Sequence, residues 1–246
     1  MDDFTATSFG EIYAERYDEE HDPGTTDEAV ACLHDLSGGK PTLELAIGTG
    51  RLALPLVARG LSVSGIEASP AMIKKLQAKP LGNRVNVTVG DIAEVRLGRR
   101  FGFAFLAFNT LFNLRTQAAQ LACFQRTAEH LEPGACFLVE ALVPELRDFS
   151  DEQRLRVLTL DQRSLRIEAA VHDPVEQTIL YQRVHLGADG VRIEPLPIRY
   201  AWPQEIDLMA RLAGFNLVDR WGDWHRGPFT ATSRSHCSLY RLAESG

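Results

Sequence analysis

The sequence predicts an α/β fold with a doubly wound sheet of seven strands, the last of them antiparallel, and an antiparallel β-meander insertion. Between residues 41 and 142, continuous apolar runs typical of buried parallel strands alternate with helical stretches. This alternation implies right-handed crossovers and helices on both faces of one sheet. Further along, polar and apolar residues alternate between turn signals, which indicates antiparallel strands. We therefore expect a single domain over residues 1–246.

The composition disfavours several classes of protein. The 246 residues include 26 Lys and Arg against 33 Asp and Glu, which gives a formal charge of −7. This balance argues against a nucleic-acid partner, whose phosphates basic residues must neutralise. No apolar run reaches the ~20 residues of a membrane span, and the first residues lack the layout of a signal peptide. We expect a cytoplasmic protein without a membrane contact. The four cysteines lack metal-binding spacing, so no metal site is predicted.

Residues 1–40 are predicted to form an N-terminal helical cap. Tyr13 and Tyr17 are four residues apart and so lie on one helix face. A further helix begins after Thr25 or Thr26 and ends at Gly38. Five parallel strands are predicted to follow, at residues 42–47, 61–68, 85–90, 101–108 and 135–142.

Beyond the fifth strand, residues 162–202 are predicted to form an antiparallel lid. Its three strands are separated by turn signals at Asp173-Pro174 and at Ala188-Asp189-Gly190. A helix from Trp202 to Gly214 and two closing strands are expected after the lid. Because exposed strands can pair with another chain, the lid also suggests a homodimer contact.

The segment ELAIGTGR, Glu44 to Arg51, is the sharpest local signal for a ligand. An apolar strand ends at Gly48 and Gly50, and a helix starts at once. The glycines allow positive φ angles and a close approach of the ligand, and the helix N-terminus presents free N–H groups. Glu67 follows at the end of the second strand, where its carboxylate can accept hydrogen bonds from ribose hydroxyls. Together these residues predict a nucleoside site at the carboxyl ends of the strands.

These features alone leave two cofactors open. With Ala53, the glycine loop also matches the dinucleotide fingerprint, so an NAD-dependent oxidoreductase is the first alternative. Glu44 favours a cationic ligand such as a sulfonium, because it would repel a pyrophosphate. Asp91 can accept from an adenine amino group, with the Ile92 N–H as a neighbouring donor. The later chain lacks the Tyr-x-x-x-Lys pair of many short-chain dehydrogenases, which also disfavours NAD.

With these motifs the chain resembles a class I S-adenosylmethionine (SAM)-dependent methyltransferase, of the compact Rossmann-like kind that modifies small molecules. The resemblance covers roughly residues 10–242 and is carried by LELAIGTGRLALPLVARG, GIEASPAMIKKLQAK, GDIAE, FLAFNTLFNL and AGFNLVDRWGDWHRGPFT. The chain departs from the family pattern at Ala46, which replaces the first glycine of the loop. The resemblance implies methyl transfer from SAM to an N, O or C atom of a small-molecule acceptor, with S-adenosylhomocysteine as product. A fold does not dictate its chemistry, so a non-methylating SAM-binding protein is the second alternative.

The resemblance also implies which residues hold SAM. The loop after the first strand meets the methionine part, the second strand end the ribose, the third the adenine and the fourth the sulfonium. The cofactor-binding residues so implied are Tyr17, Glu44, Ala46, Gly48, Gly50, Arg51, Glu67, Ala68, Asp91, Ile92 and Asn109.

The acceptor site is less well marked in the sequence. His225 is the candidate catalytic residue, because histidine titrates near neutral pH and its loop is expected near the pocket mouth. The remaining candidates are polar and aromatic residues of the cap, the fourth strand end and the lid. The predicted substrate-binding residues are Tyr13, Phe112, Asn113, Arg199, Tyr200 and Trp202.

Overall fold

The computed structural model describes residues 4–188 and 190–244, which form a seven-stranded sheet, a four-stranded sheet and flanking helices. The helices are α1 (Ser8–Tyr13), α2 (Tyr17–Glu20), α3 (Thr26–Ser37), α4 (Ala53–Ala58), α5 (Pro70–Ala78), α6 (Gln117–Glu129) and α7 (Pro203–Leu212). The strands are β1 (Thr42–Leu45), β2 (Val63–Glu67), β3 (Asn86–Val89), β4 (Phe101–Leu106), β5 (Leu131–Leu142), β6 (Gln153–Leu160), β7 (Leu165–Asp173), β8 (Thr178–Gly187), β9 (Gly190–Arg199), β10 (Phe215–Trp221) and β11 (Ser235–Leu242). Within the described residues, no helix has the length and apolar character needed to cross a membrane.

The larger sheet has the strand order β10-β11-β5-β4-β1-β2-β3. Its neighbouring strands are parallel except where β11 pairs with β10 and with β5. This confirms the predicted seven-stranded sheet with an antiparallel last strand. The direction of the chain through the sheet reverses between β1 and β4, and a crevice at such a point is the usual ligand site of an open α/β sheet.

Three adjacent strands of the larger sheet, β4, β1 and β2, are buried at every residue, as expected for strands covered on both faces. Two apolar clusters cover the two faces of the sheet. One contains Phe124 of α6 and Phe137 of β5, and the other contains Leu33 of α3 and Leu56 of α4. Gly65 in β2 leaves room for the neighbouring loop, since a Cβ there would lie 2.5 Å from Ile47 Cδ1. The sheet is therefore packed on both sides, and its strand ends are the part left for ligands.

The N-terminal cap is fastened to the loop after β1 and to α5. Asp18 accepts a hydrogen bond from Thr49 Oγ1 at 2.6 Å, and its other oxygen lies 2.6 Å from Lys79 Nζ. Gly10 of α1 lies so close to the start of α5 that a Cβ would come within 2.1 Å of Ser69 Oγ. These contacts place the cap directly beside the strand ends that carry the glycine loop.

The smaller sheet, with the order β6-β7-β8-β9, is an insertion between β5 and α7. The sequence analysis started this insertion at residue 162 and gave it three strands. The structure adds β6, so the insertion begins at Gln153. The alternation of Arg154, Leu155, Arg156 and Val157 was the signal for this strand. The predicted turn residue Asp189 lies outside the described residues.

The two faces of the insertion sheet have an inverted polarity. Cross-strand register places Arg156, Glu168, Arg183 and Glu194 in one row. This row faces the cap, since Arg183 and Glu194 contact side chains of residues 16–21. The opposite face carries exposed apolar side chains, namely Leu155, Val157, Val171, Val191 and Ile193, which are 54–68% exposed. The insertion sheet therefore directs charge toward the rest of the protein and apolar surface away from it.

Candidate active site

A cavity of about 530 Å³ opens at the carboxyl ends of β1, β2 and β4. The strand ends, the cap and the inner face of the insertion sheet form its walls. Its size lies within the roughly 300–1,000 Å³ that is usual for small-molecule sites. The predicted cofactor-binding residues that line it are Tyr17, Ala46, Gly48, Glu67, Ala68, Asp91, Ile92 and Asn109. The predicted substrate-binding residues that line it are Phe112 and Asn113.

Glu67 holds the loop after β1 in shape. Its Oε2 accepts a hydrogen bond from the Gly48 N–H at 2.9 Å, and its Oε1 accepts one from the Ser69 N–H at 2.8 Å. The loop contains left-handed backbone at Ala46 (φ 52°) and Gly48 (φ 56°), a conformation that is strained for alanine but not for glycine. Burial raises the pKa of the Glu67 carboxyl, and backbone N–H groups oppose part of the rise. One carboxylate therefore joins the ends of β1 and β2.

A second cavity of about 30 Å³ adjoins the first, and Tyr17, Glu44 and Arg51 are among its walls. Glu44 is buried, and its Oε2 atom has no hydrogen-bond partner among the residues that the structure describes. Burial raises the pKa of this carboxyl well above its usual range, although the nearby Arg51 guanidinium opposes the rise. Burial also raises the pKa of Tyr17 to about 12. A buried carboxyl without a partner suits a ligand that brings a cation or a hydrogen-bond donor.

The end of β3 contributes a carboxylate to the main cavity. Asp91 Oδ1 accepts a hydrogen bond from the Ala93 N–H at 2.8 Å, which fixes the side chain in a local turn. Gly90 precedes it at φ 154°, and a Cβ there would lie 2.2 Å from Val95 Cγ2. Asp91 and Ile92 thus reach the same cavity edge as Glu67.

The turn after β4 is strained and is held by a buried acid. Phe108 (φ 56°) and Asn109 (φ 61°) both adopt left-handed backbone, which costs about 1–3 kcal/mol for each non-glycine residue. Glu140 Oε2 accepts a hydrogen bond from the Phe108 N–H at 2.6 Å, and Oε1 accepts one from Trp224 Nε1 at 3.0 Å. Burial raises the pKa of Glu140. Sequence reasoning found Asn109 but missed Phe108 and Glu140, although a single acid within the apolar run FLVEAL was an available signal.

The insertion sheet supplies a polar wall that the sequence analysis did not predict. Arg154 Nη2 donates to Glu168 Oε1 at 3.1 Å, and Arg183 Nε donates to Glu168 Oε2 at 3.3 Å. His21, just after α2, has its Nε2 atom 3.3 Å from Arg183 Nη1. These four residues and Tyr181 line the main cavity. Arg154 lies on β6, so overlooking that strand also hid this residue.

Four of the predicted substrate-binding residues lie outside the cavity walls. Tyr13 is 1% exposed and packs inside the cap, whereas Trp202 is 41% exposed at the start of α7. Arg199 is buried and pairs with Glu205 at 2.7 Å. Tyr200 is 3% exposed and belongs to the apolar core. The prediction that residues 199–202 line the substrate pocket was therefore wrong, because these residues connect the insertion to α7.

Two other predicted site residues, His225 and Gly50, also lie outside the cavity lining. The side chain of His225 is 74% exposed and lies 4.0 Å from Glu28, away from the cavity lining. Its neighbour Trp224 is the buried residue of this loop. Gly50 lines neither cavity; it adopts φ 83°, and a Cβ there would lie 3.0 Å from Leu54 Cγ. Gly50 is thus explained by the turn into α4 and by close packing.

Comparison with known proteins gives the class. A family profile described as "Methyltransferase domain" matches residues 42–134. The cypemycin N-terminal methyltransferase of a Streptomyces species is 27% identical over 213 residues, which are 86% of this chain and 87% of that protein. The structure of the CcbJ methyltransferase from Streptomyces caelestis is 38% identical with a TM-score of 0.91, over 98% of this chain and 100% of that one. A SAM-dependent methyltransferase from Clostridium acetobutylicum has a similar fold, with 15% identity and a TM-score of 0.76 over 96% of this chain and 98% of that one.

The fold, the cavity and these likenesses together define a methyltransferase. More specifically, the chain belongs to the class I SAM-dependent methyltransferases. SAM is its methyl donor. The expected family and activity are thereby confirmed. The glycine loop alone fitted both SAM and NAD, and the cosubstrate is SAM.

Glu44→Gln is expected to stabilise the ligand-free protein by about 1–3 kcal/mol at pH 7, because it removes a buried charge without a full set of partners. The raised pKa means that the native state holds this proton more tightly than the unfolded state, so Glu44 lowers stability as the pH rises above the usual carboxyl range. The gain should therefore shrink as the pH falls toward about 4. Urea denaturation at several pH values measures it, and a gain that grows toward low pH would contradict the argument.

Proposed function

We propose that SAM lies along the carboxyl ends of β1, β2 and β3, with its methionine end at the smaller cavity. The observation that carries this placement is the buried, unpartnered Oε2 atom of Glu44. The α-ammonium of SAM would supply the missing donor and the missing positive charge. Tyr17 and Arg51, in the same walls, would meet the methionine carboxylate. The residues present thus fit the charges of this end of SAM.

The remaining part of SAM fits the main cavity. Glu67 uses one lone pair of each oxygen for the Gly48 and Ser69 N–H groups, so further lone pairs are free for the two ribose hydroxyls. Ala68 would lie against the adenine ring, and Asp91 with the Ile92 N–H would read its edge. Asn109 would face the sulfonium side.

Glu67→Ala is expected to weaken SAM binding by about 1–3 kcal/mol, or roughly 5- to 150-fold in Kd, since it removes a charged acceptor of two hydrogen bonds. Calorimetric titration of the protein with SAM measures the change. Glu94→Ala is the matched control, because Glu94 is an exposed carboxylate three residues after Asp91 and does not line the cavity. An unchanged Kd for Glu67→Ala would remove this residue from the proposed site.

We further propose that the acceptor atom is an amine nitrogen. The relative from Streptomyces named as an N-terminal methyltransferase supports this choice. The acceptor side of the cavity also supports it, because Phe9, Phe112, Leu196 and Ile198 give it an apolar lining. An apolar environment disfavours an ammonium ion, so it releases the nitrogen lone pair that must attack.

This arrangement explains how transfer can proceed without His225. The bound donor supplies an activated methyl group, whose carbon bonds to nitrogen as its bond to sulfur breaks. Arg154 and Arg183 line the same cavity, and their positive charges add to the apolar lining in favouring a neutral amine. The protein's own tasks are then to orient the two reactants, to exclude water and to keep the amine deprotonated.

Incubation with methyl-labelled SAM tests the acceptor atom. Phenethylamine and phenethyl alcohol form a matched pair of probes that differ only at that atom. We expect label in the amine, measured as N-methyl product by mass spectrometry, because its free lone pair attacks without a dedicated base. Label in the alcohol or on carbon would contradict a nitrogen acceptor.

We also propose that the protein forms a homodimer through the outer face of the insertion sheet. One cross-strand row of this face is apolar on all four strands and consists of Val157, Ile167, Val184 and Ile193. Four strands of about eight residues present a flat area on the order of 500 Å² before side-chain relief is added. This approaches the roughly 800 Å² per partner of a stable interface. A second copy is a suitable occupant, since a two-fold axis brings the same apolar face to both sides.

Val157→Glu is expected to convert the dimer to a monomer, because it introduces a charge within the apolar face at a side chain that is 62% exposed. Sedimentation velocity at micromolar concentration measures the mass of the particle. Leu212→Glu is the matched control, since Leu212 is 71% exposed at the end of α7, on a different surface. A wild-type protein that sediments as a monomer would overturn the proposed dimer.

A further inference from the structure

The wall that the insertion sheet gives to the main cavity contains two arginines and one glutamate. Both oxygens of Glu168 are engaged, one by Arg154 and the other by Arg183. The Arg154 side chain is 6% exposed, Glu168 is 10% exposed and Arg183 is 24% exposed. These three charged groups therefore carry a net positive charge in a largely dehydrated position.

The neighbouring acids of the same sheet face do not neutralise this charge. Glu194 pairs with Arg16 at 3.1 Å and with Arg192 at 2.6 Å, and Glu20 pairs with Arg192 at 2.9 Å. These ion pairs belong to the contact between cap and insertion, and their residues do not line the cavity. The positive charge of the wall is thus left facing the cavity.

His21 adds no further charge and fixes the direction of Arg183. Burial, together with the adjacent Arg183 guanidinium, lowers the pKa of His21, so the ring is neutral near pH 7. Its Nε2 can then accept a hydrogen bond from Arg183 Nη1 at 3.3 Å. The ring stacks on Tyr17, with 5.0 Å between centroids and 10° between planes. Arg183 is therefore held between a carboxylate and an aromatic stack rather than free to swing into solvent.

Two walls of the cavity consequently differ in charge. Glu67 and Asp91 lie at the strand ends, where the proposed function places SAM. Arg154 on β6 and Arg183 on β8 line the cavity from the insertion sheet, as do Leu196 and Ile198 of the apolar lining proposed for the acceptor. A buried cation without a full set of partners is costly, and a planar guanidinium pairs well with an oxyanion.

We propose that the wall formed by Arg154, Glu168 and Arg183 is a subsite for an anionic oxygen group of the acceptor, a carboxylate or a phosphate. This inference rests on the proposed function, because it assigns the strand-end wall of the cavity to SAM. The acceptor class is then an amine that also carries an oxyanion. The oxyanion fixes one end of the acceptor, and its nitrogen points toward the methyl group.

Calorimetry with two matched pairs of probes tests the subsite in protein saturated with S-adenosylhomocysteine. L-Phenylalanine and L-phenylalaninamide differ by a carboxylate, and O-phosphoethanolamine and ethanolamine differ by a phosphate. We expect the anionic member of at least one pair to bind about tenfold or more tightly than its neutral partner. The pair that shows this preference identifies the oxyanion. If neither pair shows a preference, the inference is overturned, whether or not any probe binds.

Arg183→Gln is expected to reduce the preference to less than about threefold. Arg166→Gln is the matched control: Arg166 lies on the same sheet face as Glu168 but outside the cavity lining, so its variant should keep the preference. A preference that survives Arg183→Gln would also overturn the inference. SAM titration of the same preparations distinguishes the two proposals. Wild-type protein that does not bind SAM would contradict the proposed function. Wild-type protein that binds SAM but shows no preference for the anionic probe would contradict only the subsite.

Discussion

Buried carboxylates at one edge of the larger sheet set the geometry of the site. Glu67 and Glu140 each hold a backbone N–H of the neighbouring loop, and Glu44 stays without a partner for its Oε2 atom. Burial raises the pKa of all three carboxyls. Burial of these carboxyls is unfavourable for the protein itself, and a cationic ligand rich in hydroxyl groups would offset that cost. Such a site gains specificity from the same groups that lower the stability of the free protein.

The part of the cavity formed by the strand ends, where we place the methyl donor, could be predicted from the sequence because its signals are local. A buried parallel strand is a continuous apolar run, and the loop that follows it needs glycine at Gly48 for its positive φ. Glu67 and Asp91 could be found because the carboxyl ends of neighbouring parallel strands meet at one edge. Phe108 was not predicted, because phenylalanine is not a residue type that favours left-handed backbone.

The acceptor half could not be predicted in the same way, since its residues meet only after the insertion sheet has docked. Alternation of polar and apolar residues identifies a strand but does not show which face packs against the rest of the protein. In this insertion sheet, the charged face does so. Arg154 and Arg183 were therefore missed, whereas Arg199 was chosen and proved to pair with Glu205. The prediction for His225 was also wrong, because the direction of a surface loop depends on tertiary contacts that a local sequence pattern does not show.

The insertion leaves the larger sheet once, after Leu142, and returns once, at Pro203. The stretch between them carries the polar wall of the cavity and the apolar outer face. The elements that surround the proposed donor site lie outside this stretch. The charged wall of the cavity is thus encoded by one uninterrupted segment of the chain, whereas Phe9 and Phe112 of the apolar lining come from the cap and from the turn after β4. Substitutions within this segment can therefore change the charge that faces the cavity while leaving intact the strand ends where we place the methyl donor.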